Sequence, residues 1–211
     1  MPLQAVVFDA AGTLTVPLVD LFLRQVDGAP FDARVAALAL AEAVLQEGDG
    51  DSLPHRCERG EVGLEDLLGW VDERAPGASA LIDPRSPHFL LGAVEWSAPM
   101  TALLTDAKAA GVPTAIVSNQ FAGWSRSFGA AVGSLGADVT VISSDVGLRK
   151  PDPAIFLLVC DRLGVAAADT LFLDDAAAMA AGATAAGLTA LHVTDHVEAA
   201  SAARALLGLP P

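Results

Sequence analysis

The chain has 211 residues, 53% of them hydrophobic and 18% charged, long enough to bury a core without disulfide or metal staples. Its formal net charge of −14, with Lys108 and Lys150 the only lysines, excludes the cationic surface that nucleic acid or an anionic membrane requires. An anionic ligand therefore needs a local exception to the overall charge.

Met1-Pro2-Leu3-Gln4 carries no cationic segment and runs directly into the first strand, so no secretory signal is read and the cytoplasm is the expected compartment. The apolar run 4–8 ends on Asp9, and Gly12-Thr13 follow at a turn. Alone this is a strand entering a turn, with Asp and Gly serving local hydrogen bonding and positive φ. About a hundred residues then separate the first strand from the second, far beyond an ordinary connection. An insertion at 17–97 is the economical explanation, with a core made of 1–16 and 98–211. Leu18, Leu21, Phe22 and Val26, then Val35, Leu38, Ala41 and Leu45, then Leu64, Leu67, Leu68 and Val71 recur at helical spacing, so the insertion is expected to be helical throughout. The segment 83–87 reads as a break between helices, and Ser97-Ala98-Pro99 as the return hinge.

From residue 99 onward, helical segments at 99–110, 121–135, 153–164, 176–186 and 197–207 alternate with apolar strands at 114–118, 139–143, 170–174 and 189–193. This is the rhythm of an open parallel sheet covered by helices on both faces, so the fold class is α/β, a Rossmann-like parallel sheet with an inserted helical cap. Residues 176–193 carry no formal charge and match a membrane span in length, but they are mostly Ala and Gly. A core helix, a turn and a strand fit them better, and no membrane partner is expected. Cys57 and Cys160 have neither metal-ligand spacing nor a disulfide framework. His192 and His196, four apart, would suit a metal on one helix, but a strand for the first and a position past a Thr194 cap for the second make both structural.

Four strand tips carry polar chemistry: Asp9, Ser118-Asn119, Lys150-Pro151 and Asp174-Asp175. In an open α/β sheet, ligands gather beyond the carboxyl ends of the strands, so tips far apart in sequence meet in one pocket. Asp9 is a usable nucleophile once a cation neutralises an incoming phosphate. Ser118, with the backbone at Asn119, can donate to phosphoryl oxygens, and Lys150 offsets the charge that nucleophile and phosphate bring together. Asp174 and Asp175, facing Asp9, make a hard oxygen site suited to Mg²⁺.

These residues resemble the haloacid dehalogenase superfamily. Its first motif is Asp-x-Asp-Gly-Thr, its second a strand ending in Ser or Thr, its third a Lys and its fourth an acidic pair. The stretch from Ser144 to Phe156, Phe172-Leu173-Asp174-Asp175 with its Ala-rich helix, and Glu58-Arg59-Gly60-Glu61-Val62 are similar to segments of members with a helical cap. The resemblance implies catalytic roles for Asp9 as nucleophile and for Ser118 and Lys150 as phosphate ligands, with Asn119 beside them. It also implies a Mg²⁺ site of Asp9, the Ala11 carbonyl and Asp175, with Asp174 in support.

One departure stands at Ala11, where the phosphatases have the Asp that protonates the leaving oxygen. General acid–base help of that kind is worth about 10²–10⁴-fold, roughly 3–5 kcal/mol of barrier. Phosphonoacetaldehyde hydrolase also has Ala there but uses a cap lysine, and residues 17–97 contain none. Haloacid dehalogenases proper need no metal, whereas the acidic pair is of the metal type. The expected function is Mg²⁺-dependent hydrolysis of a small phosphorylated metabolite through an aspartyl-phosphate. A non-catalytic phosphate- and Mg²⁺-binding protein, and less so a carbon–halogen hydrolase, remain as alternatives. Arg24, His55, Arg56, Arg59, His88 and Trp96 lie in or beside the insertion, where substrate contacts originate in this superfamily, and none is singled out.

Overall fold

The computed structural model describes residues 1–16, 51–74, 76, 79 and 95–210. Leu18 to Leu45, Arg24, the segment 83–87 and His88 lie outside the described residues. Five parallel strands form one sheet: β1 (Ala5–Phe8), β2 (Thr114–Ser118), β3 (Val139–Ile142), β4 (Thr170–Asp174) and β5 (Thr189–His192), in the order β3-β2-β1-β4-β5. β1 is central and wholly buried. Chain connections run to opposite sides of it, so the tips of β1 and β4 border the crevice where such sheets bind ligands.

Alternation along the strands sorts the core into two faces. Val6, Phe8, Ile116, Leu171 and Leu173 point to one face, covered by α3 (Ala98–Ala109) and α8 (His196–Leu207), with Phe128 from α4 (Ser125–Gly133). Val7, Ala115, Val117, Val141 and Phe172 point to the other, against α6 (Pro153–Leu163) and α7 (Ala177–Ala185). The expected helix 121–135 begins only at Ser125, because Gly123 adopts φ 96° and the chain turns there, leaving Phe121 and Trp124 outside the main core. The expected strand 139–143 stops at Ile142, and a short helix, α5 (Ser143–Val146), ends on Gly147 at φ 70°.

Within 17–97, the described helices are α1 (Leu53–Glu58) and α2 (Leu64–Arg74). The apolar spacing of Leu67 and Val71 turns both residues inward, where with Cys57 they cover Phe121 and Trp124. Residues 14–16 and 95–97 run side by side as a two-stranded antiparallel neck. The Val16 amide donates to the Glu95 carbonyl at 2.9 Å, the Ser97 amide donates to the Leu14 carbonyl at 2.8 Å, and Thr15 bridges to Trp96 antiparallel. The residues read as a return hinge are therefore hydrogen-bonded to the outgoing strand.

Candidate active site

Asp9 leaves β1 with its amide bonded to the Leu173 carbonyl at 2.8 Å, which sets it beside Asp174 at the tip of β4. A wide turn over Ala10–Leu14 follows, closed by the Thr15 amide on the Ala10 carbonyl at 3.0 Å and by the Gly12 amide on Thr15 Oγ1 at 2.9 Å. Gly12 sits at φ 92°, and a Cβ there would stand 2.2 Å from Asp175 Oδ2. Both conformation and space reserve this position for glycine. The buried Thr13 hydroxyl accepts the Asp175 amide at 3.1 Å and joins the first tip to the fourth.

The Lys150 ammonium fills the space between the two tips. It donates to Asp9 Oδ1 and to Asp174 Oδ2, both at 2.5 Å, with all three side chains buried. The other Asp174 oxygen accepts the Ala176 amide at 2.9 Å, capping its own turn. Lys150 is held in turn by Asn119, whose Oδ1 accepts the Lys150 amide at 2.8 Å and whose Nδ2 donates to the Lys150 carbonyl at 3.0 Å. The Asn119 side chain is thus committed to the lysine backbone, and the amides that follow it are bonded within the protein, Gln120 to Ser143 Oγ at 2.9 Å and Ala122 to the Cys57 carbonyl at 3.1 Å. Ser118 is buried at the tip of β2, its hydroxyl 3.4 Å from the Asn119 carbonyl. All five chemistry-bearing positions read at the strand tips, Asp9, Ser118, Lys150, Asp174 and Asp175, lie at one end of the sheet.

Asp9, Asp174 and Asp175 present carboxylate oxygens that all lie within 4.8 Å of one another. With all three ionised and Lys150 the ammonium among them, the group carries two negative charges in excess. Burial pushes the Asp9 carboxyl well up, Lys150 pulls it down, and Asp174 and Asp175 push it up again. Burial and then Asp174 raise Asp175 as well. For Lys150, burial acts to lower the pKa, but Asp174 and Asp9 outweigh it and the ammonium is held charged. Three hard oxygen donors with two uncompensated charges fit a divalent cation such as Mg²⁺, which would be held by Asp9 and Asp175 with Asp174 beside them. The Ala11 side chain is a methyl, so the position offers a metal only its carbonyl and offers a substrate no proton.

Supporting residues emerge that the sequence had not marked as part of the site. His192 Nε2 lies 3.0 Å from the Asp175 carbonyl, and His196 Nε2 lies 2.9 Å from the Gly12 carbonyl. A carbonyl only accepts, so each imidazole carries its proton on Nε2 and braces a loop of the site. The α8 cap is Asp195, which accepts the Val197 and Glu198 amides, rather than Thr194. His55 is buried in α1, Arg56 pairs with Glu61, Arg59 pairs with Asp51 and Glu61, and Trp96 lies in the neck. Glu58 is buried against Arg149, the residue before the site lysine, with Nε to Oε2 at 2.7 Å. Among the described residues, no helix is long and apolar enough to cross a membrane.

Comparison with known proteins agrees with this architecture. A mouse protein, acyl-CoA dehydrogenase family member 10, is 28% identical over 98% of this chain, which spans about a fifth (19%) of that relative's length. The crystal structure of a dehalogenase superposes with a TM-score of 0.66 at 22% identity, covering 91% of this chain and 85% of that one. A haloacid dehalogenase family enzyme from Bacteroides thetaiotaomicron, in complex with magnesium and inorganic phosphate, gives 0.61 at 14% identity over 90% and 93%. The model of the haloacid dehalogenase-like hydrolase family matches residues 3–187, and with the strand tips arranged as above the chain belongs to that family of hydrolases.

Proposed function

We propose that the chain is a Mg²⁺-dependent phosphatase acting on a small phosphorylated metabolite in the cytoplasm. The observation that carries this is the group of three carboxylates around one ammonium, the nucleophile Asp9 among them, with two negative charges in excess when all three are ionised. A dication supplies the missing positive charge when bound. Asp9 then attacks phosphorus, the bond to the leaving oxygen breaks, and the phosphoryl group rests on Asp9 until water attacks it and releases phosphate. Lys150 and Ser118 stabilise the charge on the transferring group. The similarity to a family member with bound magnesium and phosphate supports the assignment.

Without an acid at Ala11, leaving groups must depart as anions. Aryl and acyl phosphates are therefore expected to react about 10²–10⁴-fold better than alkyl phosphates, and Ala11→Asp to recover activity mainly toward the alkyl esters. A second chemistry, hydrolysis of a carbon–halogen bond, is favoured by the same Ala11, because a departing halide needs no proton. A panel of aryl, acyl and alkyl phosphates and 2-haloacids, assayed with Mg²⁺ and with a chelator, tests both. Phosphate release that needs Mg²⁺ and vanishes in Asp9→Asn supports the proposal. Metal-independent halide release would replace it with the dehalogenase, and turnover of nothing would leave a non-catalytic binding protein.

A further inference from the structure

Arg149 and Lys150 are consecutive, both buried, and their cationic heads are held by different parts of the molecule. Lys150 is held by Asp9 and Asp174 at the tips of the sheet, and Arg149 by Glu58 at the end of α1. We propose that Glu58 is a positioning residue: by holding Arg149 it fixes the place of the Lys150 ammonium between Asp9 and Asp174.

The Glu58–Arg149 pair is enclosed, with side chains 6% and 9% exposed. Burying two charges costs solvation that their attraction only partly returns, so such a pair is weak evidence for stability and better evidence for fixing one arrangement. Glu58 is itself a fixed post. Next to it, the Cys57 carbonyl accepts the Ala122 amide at 3.1 Å, and Cys57 packs with Leu67, Val71, Phe121 and Trp124. Gly60 lies so close to α5 that a Cβ would stand 2.5 Å from the Ser144 carbonyl. The loop that carries Arg149 and Lys150 is held at Lys150 by Asn119 and at Leu148 by packing against the sheet's second face, while a Cβ at Gly147 would meet nothing within 4 Å. Arg149 is thus the side chain that ties the near part of this loop to α1. Without Glu58, a buried guanidinium has lost its carboxylate and must turn toward water, and the adjoining lysine backbone moves with it. A shift of about 1 Å in a catalytic group can cost on the order of 10²-fold in rate.

The catalytic consequence rests on the hydrolase assignment above; the placement of Lys150 does not. The chain has only two lysines, and Lys108 is exposed. In protein labelled with ¹⁵N at the lysine side-chain nitrogens, the buried Lys150 ammonium is expected to give one solvent-protected signal. Glu58→Ala and Glu58→Met should move or broaden that signal, while Glu61→Gln, on the same turn but paired with Arg59 at the surface, should leave it unchanged. With an aryl phosphate, kcat should fall about 10–100-fold with little change in KM. If Glu58→Ala does not fold, Glu58→Met carries the test, since it keeps the bulk and offers Arg149 no oxygen. An unshifted signal in a folded Glu58 variant overturns the proposal, and a shifted signal with unchanged kcat overturns its catalytic half. If the wild type hydrolyses nothing, the hydrolase assignment fails while the signal still decides the placement.

Discussion

Asp175 is the half-buried member of the carboxylate group, and its charge has a sign that can be measured. Burial and Asp174 raise its carboxyl above the ordinary value. An acid raised on folding favours the folded state at pH below its unfolded pKa, and that contribution is lost as pH rises through the folded pKa. In metal-free protein near neutral pH, Asp175→Asn should therefore raise the melting temperature, by about 2–4 °C for each kcal/mol of relieved repulsion and burial. The gain should fade as the pH is lowered through the raised pKa. Mg²⁺ should stabilise the wild type and not the variant, which calorimetric melts at several pH values with and without the ion would check. The carboxylates and Lys150 were legible in the sequence because each stands at the end of an apolar strand or in the short turn that precedes a helix. Thr13, His196 and Glu58 were not, because their partners lie 162, 184 and 91 residues away and nothing local marks the contact.

Elements were legible where hydrophobic period and length agreed, as in the five strands, and less so where a glycine changed the direction of the chain, as at Gly123. The Ala-rich α7 illustrates how packing alters the meaning of composition. Its low side-chain volume, ambiguous with a membrane span in sequence, lets the helix lie against the site loop: a Cβ at Gly182 would stand 2.6 Å from both Cβ and the carbonyl oxygen of Pro151. Gly182→Ala, normally favourable in a helix by up to about 1 kcal/mol, should here destabilise by about 1–3 kcal/mol through overpacking. It should also slow turnover by pushing on the loop of Lys150. Urea unfolding and single-turnover kinetics on the same variant would show both effects, and a more stable, fully active Gly182→Ala would contradict the contact.

At the scale of the whole molecule, α1 and α2 are fastened to the sheet domain by apolar cover over Phe121 and Trp124 and by the buried Glu58–Arg149 pair. Replacing 17–97 by a short linker should therefore expose two large aromatics, worth about 1.5–3 kcal/mol each, and leave Arg149 without its carboxylate partner. Such a deletion should aggregate or melt far below the full chain, whereas one that also carries Phe121→Ser, Trp124→Ser and Arg149→Ser should recover solubility. Light scattering and thermal melts of the two proteins distinguish the outcomes. The central place of β1 bears on how the protein is made. All four of its residues are buried, yet its partners in the sheet begin at Thr114 and Thr170. At translation rates of about 5–20 residues per second, the strand waits roughly 5–20 seconds for the first neighbour and 8–30 seconds for the second. Through that interval an apolar strand has no sheet to join, so the hazard of pairing with other chains falls in synthesis, well before any substrate is met.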